Sequence, residues 1–320
     1  MLSRTTQTPS LTDREARLAA WMLGPTVIVV SALVIFPVVW NLFLSLKTIA
    51  LADLRGPGLF DFDLTLDNFR KAFFDYDFWP SLLTTIAYTL GGSLLSIAFG
   101  LTAALLVHGE FRGRGVLRGL FVIPYVAPIV AATFAWSFIL DPQLGVLNWF
   151  GLKQGIISQP IPFFSQKWFP IQVLGTQIRL PLALLSVIFF EGWRYFPFAF
   201  LFILARLQAI PDEIYQAAAV DGAGPIQRFL HMTLPQLKTV LSTLFLFRFV
   251  WTLNKFDDIF LLTRGQAGTK VLSIKVYDYA FGEFDLGASS AVAMILFFVL
   301  ALFLMIYFLW MVQEDESIYQ

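Results

Sequence analysis

Pro211-Asp212-Glu213-Ile214-Tyr215-Gln216-Ala217-Ala218-Ala219-Val220-Asp221-Gly222-Ala223 is a polar, alanine-rich insert between two strongly apolar stretches, and it runs on to Leu234-Pro235. Pro211 suits the first position of a helix, where its missing N–H costs nothing, and Asp212 and Glu213 favour the positive end of the helix dipole. Ala217, Ala218 and Ala219 have high helix propensity and almost no bulk, so another surface can approach the backbone closely. Gly222 allows the left-handed turn that ends such a helix. Beyond it, Ile226, Phe229 and Leu230 fall at helical spacing, predicting a second short helix before Pro235 starts a new element. A chain that interrupts membrane-grade apolar sequence in this way is a bundle of spanning helices with one helical surface held outside the bilayer.

Composition points to the membrane independently. The 320 residues are 58% hydrophobic and 14% charged, against about 25% charged in soluble domains. A spanning helix needs ~20 mostly apolar residues. Six segments qualify, at roughly 20–46, 81–107, 117–140, 181–206, 237–262 and 287–312. The fold class is therefore an all-α polytopic membrane protein of about six helices. The expected divisions are a polar segment 1–19, a membrane domain 20–312 and a tail 313–320. An even number of spans puts both termini on one side. Arg4, Arg14 and Arg17 precede the first span, and Arg112, Arg114 and Arg118 crowd the turn after the second. By the positive-inside rule these favour a cytoplasmic N-terminus, and the same topology places the insert in the cytoplasm. The first span has no small-residue cleavage site after it and is expected to stay as an anchor.

Several chemistries are excluded. There is no cysteine, and His108 and His231 are the only histidines, so thiol nucleophiles, thiolate metal sites and multi-histidine centres are absent. Net charge near zero without a basic run argues against nucleic acid as a partner. Gly265 to Lys270 has the wrong spacing for a phosphate-binding loop, so the chain does not hydrolyse ATP itself.

The insert resembles the cytoplasmic coupling loop of permease subunits of binding-protein-dependent ABC importers. The family pattern is Glu-Ala-Ala, three residues, Gly, nine residues, then Ile-x-Leu-Pro. Here Gln216-Ala217-Ala218, Gly222 and Met232-Thr233-Leu234-Pro235 keep that spacing, with Gln216 for the glutamate and Met232 for the isoleucine. Arg118 to Tyr125, Trp136, Asp141-Pro142, Gly145 and Asn148 resemble the third span of sugar-type permeases. Tyr277 to Ala280 and Gly287 to Ala291 resemble the entry to their last helix. Arg264-Gly265-Gln266-Ala267 departs from the family's Thr-x-Gly-Gly-Pro loop.

The resemblance implies a coupling loop at about 208–236 in which Tyr215, Gln216, Ala217, Ala218, Asp221, Gly222, Ala223, Phe229, Leu234 and Pro235 face a separate ATPase. It further implies a second permease chain, an extracytoplasmic solute-binding protein that delivers a sugar, and residence in the bacterial inner membrane. No cofactor is implied for this chain, and ATP and Mg belong to the ATPase.

A substrate path shows itself as polar groups in apolar spans, because isolated charges in lipid are expensive. Glu191 and Arg194 are neighbours on one helix face and positioned to pair, with Trp193, Tyr195 and Pro197 beside them. Arg248, Asn254, Lys255, Asp257 and Asp258 lie in or near the end of the fifth span. Two interpretations stay open. These charges are structural pairs, or some of them line a cavity in which Trp193 and Tyr195 stack on sugar faces and Asn254 or Asp257 accepts hydroxyl protons. An ion-coupled carrier using Glu191 or Asp257 is the alternative function. An intramembrane transferase ranks last because no His, Cys or metal-ligand cluster supports it. Gly91, Gly92 and Gly100 are expected to let helices approach closely.

Overall fold

The computed structural model describes residues 11–55, 63–173 and 176–318. Residues 1–10 of the polar N-terminal segment, Asp61 in the first loop and the last two residues of the tail lie outside that set. The chain opens with Leu11–Val30 (α1), a π-helical turn Ser31–Ile35 and Phe36–Ser45 (α2). The π turn ends two residues before Pro37, whose ring cannot continue a regular hydrogen-bond ladder. Asp67–Phe74 (α3) leads to the long helix Phe78–His108 (α4). Arg114–Val126 (α5) and Ile129–Ile139 (α6) follow, then Val146–Lys153 (α7). Two antiparallel strands, Trp168–Val173 (β1) and Thr176–Pro181 (β2), pair in register from Trp168 with Pro181 to Val173 with Thr176.

The second half begins with Leu182–Gln208 (α8). The insert follows as Asp212–Val220 (α9) and Pro225–Arg228 (α10), and a π turn Phe229–Thr233 leads into Leu234–Leu253 (α11). Asp257–Leu262 (α12), Leu272–Tyr277 (α13), a π turn Asp278–Gly282 and Leu286–Ile318 (α14) complete the chain.

All six expected segments are helical, but two are interrupted. Four described helices are long and apolar enough to cross a membrane, spanning Leu18–Ser45, Phe78–His108, Leu182–Gln208 and Leu286–Met311. The segment expected at 117–140 is instead the pair α5 and α6, bent by 98°. Pro128 disfavours the helical conformation at Ala127, whose ψ is 138°, so one helix stops and another starts. The segment expected at 237–262 ends at Leu253, and after a turn the six residues of α12 take a new course. Gln236, Lys238 and Arg248 dilute the apolarity of α11.

The centre of the bundle is α4 against α8. Gly92 abuts Glu191 and Gly100 abuts Ala199 and Phe200, so equal steps on both helices show that they run parallel. A Cβ on Gly100 would stand 2.7 Å from the Ala199 Cβ and 2.8 Å from the Phe200 backbone nitrogen, closer than atoms pack. Small residues therefore set the helix separation, as anticipated. The α11 helix runs the other way across both. Ala103, Ala104, Phe200, Ile203, Leu237 and Leu244 form one buried cluster toward the insert end. Phe78, Phe249, Leu272, Tyr279 and Val292 form a second toward the far end.

That far end is tied by charge. Lys275 Nζ lies 2.6 Å from Asp75 Oδ2, and the Tyr279 hydroxyl donates to the same oxygen at 2.5 Å. Lys71 bridges Glu283 at 3.2 Å and Asp285 at 2.9 Å. Burial alone would raise the Asp75 pKa, but the bonds from Lys275, Tyr279 and the Asp77 backbone outweigh it and hold the carboxyl at about 2. For Tyr279, burial and the adjacent Asp75 both push the phenol up. Asn68 Nδ2 donates to the carbonyls of Ser45 at 2.9 Å and Lys47 at 2.6 Å, fastening α3 to the end of α2.

Candidate functional site

The insert is a small, outward-facing platform. Pro211 has ψ 133° and stands just before α9 as its cap residue, one place earlier than expected. Asp212 and Glu213 occupy the first turn as the dipole favours. Gly222 has φ +79° with nothing within 4 Å of a would-be Cβ, so conformation and not space demands glycine here. The Ala223 N–H bonds to the Ala218 carbonyl at 2.9 Å and the Gly222 N–H to that of Ala219 at 3.1 Å, closing the helix end.

One face of α9 looks inward. Ala218 is buried, and Ile214 and Tyr215 pack on the insert-end cluster. The Tyr215 hydroxyl meets the Thr233 hydroxyl at 3.1 Å. The other face is open. Gln216, Ala217, Ala219, Asp221 and Gly222 are exposed, Val220 is 88% exposed, and Ile226 just beyond is 75% exposed. Phe229 and Leu234 are half-buried and Pro235 is exposed. The second short helix is not separate: α10, the π turn and α11 share helical backbone, so Pro235 lies inside a continuous rod. Arg206 clamps the base of the insert, its Nε donating to the Gln236 carbonyl at 3.1 Å and its Nη2 to the Gln236 side chain at 2.7 Å.

A second site lies inside the bundle. Glu191 is 0% exposed and Arg248 1% exposed, and the two form a direct ion pair. Arg248 also donates to Ser96 Oγ and Thr252 Oγ1, each at 3.1 Å. Thr252 and Tyr88 donate to the two Glu191 oxygens, each at 3.0 Å. The anticipated Glu191–Arg194 pair does not form. Arg194 turns to the break between α5 and α6, where it donates to the Pro124 carbonyl at 3.1 Å and the Ala127 carbonyl at 2.9 Å. A helix break leaves carbonyls without partners, and a guanidinium is well shaped to satisfy two of them.

Tyr195 joins this cluster to the start of α12. Its ring lies 4.6 Å from the Arg248 guanidinium and 4.2 Å from Lys255 Nζ, and its hydroxyl accepts a bond from Lys255. Lys255 also stands 3.4 Å from the buried Asp258 and 3.7 Å from Asp257. The five substrate-path candidates thus divide. Glu191 and Tyr195 belong to the cluster, and Asp257 sits at its exposed margin. Trp193 points elsewhere, packing on Trp136 at 5.2 Å, so it does not share a surface with Tyr195. Asn254 bonds its own helix at the Val250 carbonyl, 3.0 Å away.

Sequence reasoning missed Tyr88, Ser96 and Thr252. A signal was present: Ser81, Thr85, Tyr88, Gly92, Ser96 and Gly100 recur at three- and four-residue steps, a buried polar and small stripe on an otherwise apolar helix. Beside the cluster an aromatic surface remains uncovered. Tyr125, Phe202, Phe247 and Trp251 are all at least 42% exposed, and Phe198 stacks edge-on to Trp251 at 5.0 Å. Among the described residues no group of three His, Asp or Glu side chains converges to hold a metal.

Residues 96–313, which include the insert, the Glu191–Arg248 pair and most of α14, match the family described as binding-protein-dependent transport system inner membrane component. The chain belongs to this family. Its relatives include the inner membrane ABC transporter permease protein YcjO of Escherichia coli strain K12, 32% identical over 88% of this chain and 90% of that protein. Another is the trehalose/maltose transport system permease protein MalF of Thermococcus litoralis, 30% identical over 94% of this chain and 95% of that protein. The fold is that of a solved bacterial alginate ABC transporter in complex with its alginate pentasaccharide-bound periplasmic protein. The match has a TM-score of 0.73 and 19% identity over 92% of this chain and 93% of that one. The chain is thus an inner-membrane permease component, the non-catalytic part of such a system.

Proposed function

We propose that this permease forms, with a second permease chain, the membrane path for a sugar or oligosaccharide handed over by a solute-binding protein. ATP and Mg act on separate ATPase subunits, which press on the insert 211–235. Both termini and the insert lie on the cytoplasmic side, and the β1–β2 end faces the solute-binding protein. One observation carries the coupling role: the exposed face of α9, with Val220 open to solvent, is bonded through Tyr215 to Thr233 just before α11, and Ile226, also open, lies on the rod that continues into α11 and its Arg248. Pressure on that face moves α11, and α11 is bonded to α8 through Glu191. The uncovered aromatic surface around Trp251 forms one wall of the path, because flat rings suit the CH faces of sugars. Relatives named for trehalose and maltose transport support the solute class.

The ion-coupled alternative needs a buried carboxylate free to exchange a cation; Glu191 is saturated by Arg248, Thr252 and Tyr88, and Asp257 is exposed with Lys255 3.7 Å away. The test is to purify the chain in mild detergent and identify by mass the proteins that stay bound, for wild type and Gly222→Pro. A second permease and a phosphate-loop ATPase are expected with wild type, and loss of the ATPase with the variant. Recovery of this chain alone, in detergent that preserves such complexes, overturns the proposal.

A further inference from the structure

The far end of the bundle holds a cavity of about 450 Å³, set between the end of α6, the 162–165 segment and the 261–266 segment. Asp141, Phe163, Phe164, Ser165, Arg264 and Gln266 are among its lining residues. It opens at the end of α12 opposite to the Lys255–Asp258 pair. Asp258 and the cavity-lining Leu261 lie three residues apart on α12, about 4.5 Å along the axis.

The wall that carries Arg264 is held in an unusual conformation. Arg264 and Ala267 have φ of 52° and 53°, in the left-handed region that favours glycine, alongside Gly265 at 73° and Gly268 at 79°. Buried hydroxyls keep the loop in that state. The Thr263 and Thr269 hydroxyls meet at 2.6 Å and share their two protons among each other and the carbonyls of Ile259, 3.0 Å from Thr263 Oγ1, and Gln266, 2.7 Å from Thr269 Oγ1. Non-glycine residues persist in such states where surrounding structure over-determines them, and they cluster at ligand sites. The Arg264 guanidinium makes no hydrogen bond or ion pair among the described residues. On the opposite wall, Asp141 Oδ1 caps a turn through the N–H groups of Gln143 at 2.8 Å and Leu144 at 2.7 Å, which leaves Oδ2 for another donor.

An unpaired cation on a fixed backbone, a turn-anchored carboxylate and two phenyl rings around one small cavity match a polyhydroxyl ligand, which needs donors, acceptors and an apolar face together. We infer that this cavity is a saccharide subsite at the outer mouth, holding one or two sugar rings between delivery and the inner path. The subsite rests on the sugar-permease function proposed above.

The experiment exploits the absence of cysteine. A Ser165→Cys variant carries one thiol at the cavity wall, and its modification by a charged methanethiosulfonate is timed in the complete transporter in nanodiscs. Trehalose, maltose and galacturonate are tested separately at 10 mM, and uptake of each is assayed in parallel. The expected result is at least threefold slower modification with an imported sugar, with protection abolished when Asp141→Asn and Arg264→Gln are added. Asp141→Asn keeps the turn-capping oxygen, so folding is preserved. No protection by a sugar that the complex imports, or protection unaltered by the two substitutions, overturns the subsite alone. Import of no sugar across a panel of mono-, di- and oligosaccharides by the intact complex overturns the sugar function beneath it as well.

Discussion

The insert and the Glu191 cluster are both polar regions in an apolar chain, yet their bonds run in opposite senses. At Glu191 every oxygen and nearly every nitrogen finds a partner within α4, α8 and α11. At α9 the backbone is satisfied internally, while the small and apolar side chains from Gln216 to Gly222 mostly face outward with nothing against them. Closed bonding marks a group that holds the protein in shape. Open, unstrained surface marks a place whose role is completed by something else.

The sharpest way to break that contrast is to open the closed site. Arg248→Met should strand the Glu191 carboxylate and lower stability by about 3–5 kcal/mol, read as a large drop in the thermal unfolding midpoint in detergent. Adding Glu191→Leu should recover most of the loss. A double variant no better than the single one would show that the pair is not the unit of stability. Next comes the turn that shapes the open site. Gly222→Ala forces a side chain into a left-handed backbone, costing about 1–2 kcal/mol, and uptake should fall at least tenfold while α4 and α8 keep their fold.

The far-end bond offers an intermediate case, half-closed and half-wet. The Asp75 pKa is depressed to about 2, so its stabilisation is complete above the unfolded carboxylate value near 4 and is lost as pH falls from there through about 2. Screening reduces its worth to about 1 kcal/mol. Asp75→Asn should therefore lose stability at pH 7 and show a flatter acid limb between pH 4 and 2. Smallest in stability is Ala217→Leu on the exposed face of α9, expected within about 0.5 kcal/mol of wild type. Its uptake and its retention of the ATPase should nonetheless fall severalfold. Unchanged uptake in that variant would remove the open face from the coupling role.

How far these regions could be read from residues follows the same division. The helices at 78–108, 182–208 and 286–311 lie within a few residues of their expected limits, because long apolar runs admit little else. The insert was legible from Pro211, the alanines and Gly222, since each acts through local backbone chemistry. The bend at Ala127-Pro128 was written in the proline but masked by the apolar composition around it. The end of α11 at Leu253 was masked in the same way. Partner choice was out of reach. Spacing made Glu191 and Arg194 neighbours, whereas packing turned one toward Arg248 on α11 and the other toward the carbonyls of the α5–α6 break. Likewise, Trp193 and Tyr195 stand two positions apart, and a helix turns such residues to different faces.

The glycine contacts between α4 and α8 carry one more consequence. Two parallel rods pressed together with no clearance, and pinned through Tyr88 and Glu191, behave as a single beam. Such a beam does not flex when pushed at one end; it tilts as a whole, and the give in the molecule falls to the Gly222 turn between α9 and α10 and the bend at Ala127-Pro128.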